Sequence, residues 1–76
     1  MKKYLVEFAF AENFAQVEEW QTIDGLDAVE SENAEEAAKE AACTDGLENA
    51  LFRVCELASN EFGGFEKSGK PEYFVF

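Results

Sequence analysis

Asp27-Ala-Val-Glu-Ser-Glu-Asn-Ala-Glu-Glu-Ala-Ala-Lys-Glu-Ala-Ala42 decides the fold, because within it a strand end runs directly into a helix. Ala34, Ala37, Ala38, Ala41 and Ala42 recur at helical spacing and share one face. That face carries nothing larger than methyl groups. It predicts a helix pressed closely onto a sheet whose large side chains supply most of the core. Asn33 stands at the N-cap position with Glu36 three residues on, a start resembling a capping box. Glu35 and Glu36 lie in the first turn, where the helix dipole favours anions, and Glu35 and Lys39 form a favourably ordered i,i+4 pair. Glu36, Lys39, Glu40 and Cys43 fall on the outward face, and Thr44-Asp45-Gly46 is the expected stop, with glycine just past the helix end.

On either side of this helix the chain reads as strands. Residues 3–10 alternate Tyr4, Val6, Phe8 and Phe10 against Leu5, Glu7 and Ala9, the period-two pattern of a half-buried strand. Residues 11–17 are compatible with helical spacing at Phe10, Phe14, Val17 and Gln21, and are read as a loop leading to a second strand. That strand covers about residues 18–30 and is interrupted by Asp24-Gly25, a two-residue hairpin signal, so it is either one bent strand or two short ones. After the helix, residues 50–57 have apolar side chains on both faces, Phe52 and Val54 against Leu51, Cys55 and Leu57, which suggests a central strand. Residues 58–70, with Gly63-Gly64 and Ser68-Gly-Lys-Pro71, read as a loop by composition, and Phe62 and Phe65 are expected to fold back over the open face of the sheet or to anchor a partner. Residues 72–76 form a last short strand, paired with the first strand or with residues 51–57. The expected architecture is a single α+β domain over residues 1–76, ordered β-β-α-β-β, with one helix on a small antiparallel or mixed sheet.

A chain of 76 residues buries only about 60% of the surface its unfolded form exposes, so its stability is expected to be modest. Eight Phe, two Tyr and one Trp compensate, each burying roughly 150–250 Å². No apolar run approaches the length of a membrane span, and the amino terminus does not read as a leader, so a soluble cytoplasmic protein is expected.

Seventeen acidic residues face six basic ones and no histidine, a net charge of −11. Eleven of the acids lie between Glu18 and Glu48, opposed by Lys39 alone. This excludes ordinary binding to nucleic acid or anionic membrane and favours cationic partners, although the same charge also reads as a solubilising surface. The absence of histidine removes the usual base of a nucleophilic triad, and there is no Gly-x-Gly-x-x-Gly or Walker-type motif. Cys43 and Cys55 make no metal signature; Cys55 reads as a small core residue and Cys43 as a surface thiol. Asp24-Gly-Leu-Asp27-Ala-Val-Glu30 lacks the acidic core and closing Glu of a calcium loop. No catalytic residue, metal ligand or cofactor site is expected.

The passage from Val29 to Ala41 resembles a pattern frequent in small phage and mobile-element proteins, an edge strand running into a capped Ala/Glu helix. In being short, acidic and free of catalytic residues, the whole chain resembles the anti-CRISPR and DNA-mimic inhibitors that phages use against nucleic-acid-binding defence complexes. The resemblance is one of type and transfers no residue roles. It implies a phage-encoded inhibitor acting in the host cytoplasm.

Duplex DNA spanning roughly 30 Å, the expected width of this chain, carries about 17 phosphates, more than the net charge available here. The expectation is therefore one acidic face filling a basic groove. The candidate contact residues are Glu18, Glu19, Asp24, Asp27, Glu32, Glu35, Glu36 and Glu40, and the expected partner is a protein with a basic nucleic-acid-binding surface. The alternative expectation is a structural or accessory protein that forms a homodimer or larger oligomer by β-edge pairing through residues 72–76.

Overall fold

The structure, a computed structural model, describes residues 2–22, 28–44 and 46–76. Four strands and one helix follow in the order β1 (Lys2–Ala9), β2 (Val29–Ser31), α1 (Ala34–Thr44), β3 (Leu51–Ser59) and β4 (Phe65–Val75), with a 3-10 turn at Phe14–Gln16. The sheet is antiparallel throughout in the order β2-β1-β3-β4. This is the α+β, β-β-α-β-β arrangement expected. β2 and β3 run in the same direction with β1 between them, and α1 makes the crossover that this requires.

The alanine pattern gives α1 its place. Ala34, Ala37, Ala38, Ala41 and Ala42 are all buried, and they pack on Tyr4, Val6, Phe8, Phe52 and Val54 of the two central strands. Small residues on the helix and large ones on the sheet interlock as expected, and Phe52 is the largest side chain fully buried. Both helix ends are closed. Asn33 Oδ1 accepts a hydrogen bond from the Glu36 backbone N–H at 2.9 Å, and the Leu47 N–H bonds back to the Ala42 carbonyl at 3.2 Å. The latter is the six-to-one bond of a Schellman ending, which needs a left-handed residue just past the helix, and Gly46 supplies it with φ of 69°. Leu47 then enters the core.

Three expectations are corrected. Phe10 does not continue the inward series of β1; it lies beyond the strand end and is exposed. Residues 18–20 are not in a strand, Gln21 forms an isolated bridge to Phe8, and Val29–Ser31 pair with β1. Asp24-Gly25, and with it the choice between one bent strand and two short ones, lies outside the described residues.

The third correction is the largest. Residues 58–70 are mostly strand, because β3 continues to Ser59 and β4 begins at Phe65. Asn60 makes the tight turn: its Oδ1 accepts from the backbone N–H of Phe62 and Gly64, and its own N–H bonds the Gly64 carbonyl. Gly69 and Pro71 mark a bulge in β4 instead of a loop. The register to β3 shifts between Val54 and Glu56, and Gly69 has φ of 73°. The final residues pair with β3, and β3 is central, both as expected. Phe65 lies in β4 against the Lys3 ammonium, whereas Phe62 stands at the turn tip 91% exposed and does not fold back. Among the described residues no helix is long and apolar enough to cross a membrane.

Candidate binding surface

The outward face of α1 is acidic because inward alanines leave the intervening positions to face water. Glu32, Glu35, Glu36 and Glu40 are all exposed. Glu36 and Glu40 line an open hollow with Glu32 between the helix and the β2–α1 junction, whereas the Glu30 carboxylate at its border is engaged by Lys3 at 4.0 Å. Lys39 is the lone base there, and it is engaged by Glu35 at 3.1 Å. That hydrogen bond, reinforced by the charges of Glu35 and Glu36, raises the Lys39 pKa above the usual lysine range. Lys39 therefore cancels Glu35 and leaves the hollow strongly negative. A second hollow continues the acidity past the helix start, where Glu35 and Glu36 approach Glu72 and Phe74 of β4. Cys43 is exposed at the far end of the first hollow, and Cys55 is buried; both are free thiols. Among the described residues no three His, Cys, Asp or Glu side chains converge closely enough to hold a metal ion.

The eight predicted contact residues do not form one patch. Glu32, Glu35, Glu36 and Glu40 gather around α1. Glu18 and Glu19 are exposed on the segment that ends at Gln21, whose Trp20 ring packs on the opposite side of the sheet. The segment is fixed there by two backbone hydrogen bonds of 2.9 Å between Gln21 and Phe8. Asp24 and Asp27 lie outside the described residues.

That opposite face contains a cluster that sequence reasoning missed. The ladder aligns Glu7, Arg53 and Tyr73 side by side across β1, β3 and β4. Arg53 Nε donates to Glu7 Oε1 at 3.0 Å and Nη2 donates to Oε2 at 2.7 Å. Lys67 approaches the same carboxylate at 3.7 Å. Trp20 covers the guanidinium at 4.9 Å, and Phe14 and Tyr73 pack beside its ring. The hydrogen bond to Glu7 holds the Arg53 pKa above its ordinary value against the opposing effect of burial. The one available signal was that the chain's only Arg and a Glu each interrupt otherwise apolar residues along one side of a strand.

No protein-family model, curated protein or solved structure matches this chain.

Proposed function

We propose that the chain is a non-enzymatic acidic binding protein whose α1 face fills the basic nucleic-acid groove of a protein partner and excludes the nucleic acid. This is the mode of action implied by its resemblance in type to phage anti-CRISPR inhibitors. The observation that supports the reading is the hollow in which Glu32, Glu36 and Glu40 meet with Lys39 as the lone base. Glu36 and Glu40 are carried by a helix capped at both ends and bolted to the sheet by five buried alanines. A rigid acidic face loses little conformational freedom on binding, and its field speeds encounter with a cationic groove. Glu18 and Glu19, on the other side of the sheet, contribute to the long-range field and not to the same contact.

The test is competition. Nucleic acid bound to CRISPR effectors and other Lys/Arg-grooved nucleic-acid enzymes is to be displaced by the wild-type chain, and displacement is to be lost in the Glu36→Lys/Glu40→Lys variant. Equal displacement by that variant would reject the α1 face as the site.

A further inference from the structure

The sheet has one long open edge. β4 spans 11 residues and borders only β3, whereas the other edge strand, β2, is three residues long. At the end of β4, Tyr73, Val75 and Phe76 are large apolar side chains left 51%, 60% and 45% exposed. Charge distinguishes the same strand. In a chain of net charge −11, the two lysines of Phe65–Val75 cancel its two glutamates. A second copy meets only Glu72 along residues 72–76 themselves, and Glu35 and Glu36 beside Phe74 are the repulsion that salt screens. The bulge at Gly69 and Pro71, with Lys67 and Lys70 beside it, protects the first half of the edge in the way edge strands commonly do. Residues 72–76, apolar except for Glu72, are left with an unpaired outer edge.

We infer that two copies of this chain pair antiparallel through residues 72–76, about a twofold axis at Phe74. Centring five residues on Phe74 sets Tyr73 of one copy opposite Val75 of the other, an aromatic and β-branched cross-strand pair of the favourable kind. The interface uses the same strand on both copies, so pairing closes at two. Within a continuous sheet an antiparallel twofold stands perpendicular to the strands, and both α1 helices then lie on one face. Glu35 and Glu36, which already border Glu72 and Phe74, bring the two acidic surfaces toward each other across the axis. The dimer presents twice the charge of one chain on a single side.

This pairing stands apart from the proposed groove binding, and salt separates the two. Binding to a basic groove weakens as salt rises, whereas association of two like-charged copies strengthens. Sedimentation equilibrium of the full chain from micromolar to millimolar concentration is the experiment. The expected result is a mass rising from 8.5 kDa toward twice that value, more steeply at high salt. Val75→Lys, at an exposed position, should keep the circular dichroism spectrum and remain monomeric. Hydrogen exchange supplies a readout without substitution: amides of residues 73–75 should slow with concentration while those of Val29–Ser31 do not change. A wild-type chain that stays monomeric at millimolar concentration and high salt would overturn the inference. So would assembly beyond two copies, or a Val75→Lys variant that dimerises like wild type.

Discussion

Arg53 and Glu7 meet across 46 residues of chain in a two-pronged ion pair, with hydrogen bonds of 3.0 and 2.7 Å, one partner being a carboxylate that is only 7% exposed. The register of β1 on β3 sets them directly opposite each other, and Trp20 closes the site from above. The pair fastens the segment before β2 to the face of the sheet that α1 leaves open.

Removing one partner is therefore expected to harm more than removing both. Glu7→Ala leaves the guanidinium partly buried under Trp20 without its acceptor and should lower stability by about 3 kcal/mol. Glu7→Leu/Arg53→Met, which substitutes apolar bulk for both, should recover most of that loss. Urea unfolding of the single and double variants measures the difference. Equal stabilities for Glu7→Ala and the double variant would contradict the account.

Arg53→Lys keeps the charge but not the fork, so it should lose one hydrogen bond and the planar contact with Trp20. A loss of about 1–2 kcal/mol is expected, together with a shift in the fluorescence of Trp20, the chain's only tryptophan. An unchanged emission spectrum would show that the indole does not depend on the guanidinium.

The helix ends make separable contributions. Asn33→Ala removes the acceptor of the Glu36 N–H and should cost about 1 kcal/mol. Gly46→Ala should cost a similar amount for a different reason: a Cβ there meets nothing within 4 Å, so only the left-handed backbone resists it. Because the two sites do not share partners, the double variant should show the sum in thermal or urea unfolding.

Phe52→Ala is expected to abolish the fold. Phe52 is fully buried between α1 and the sheet, truncation of such a residue costs about 3–5 kcal/mol, and a domain of this size has about 5 kcal/mol to lose. Ala38→Leu tests the same layer from the helix side, where overpacking should cost about 1–3 kcal/mol. Circular dichroism of both variants at room temperature provides the readout.

These residues also show what could be read from sequence and what could not. The helix was legible to its caps because its signals are local: alanines at one spacing, Asn33 before them and Gly46 after. The Tyr4, Val6 and Phe8 alternation was equally local, but its extension to Phe10 failed because nothing in the pattern marks where a partner strand stops. The β3–β4 hairpin was hidden by its glycines. Gly63 and Gly64 do form a turn, whereas Gly69 and Pro71, which look similar in sequence, form a bulge inside a strand. Glu7 read as a solvent-facing position because its partners arrive only through the register of β3 and the bridge at Gln21. The acids around α1 are exposed as the alanine spacing implies, but the sequence could not show that Glu18 and Glu19 are carried on the other side of the sheet.

The central claim concerns that acidic helix face, and the most direct measurement is its affinity for an effector that the chain displaces from nucleic acid, taken across a salt series. The account predicts that affinity falls steeply with salt, and that Glu36→Lys/Glu40→Lys loses tenfold or more, about 1.4 kcal/mol or greater, while Glu18→Lys/Glu19→Lys loses much less. Affinity indifferent to salt, or lost equally with either pair of substitutions, would contradict it.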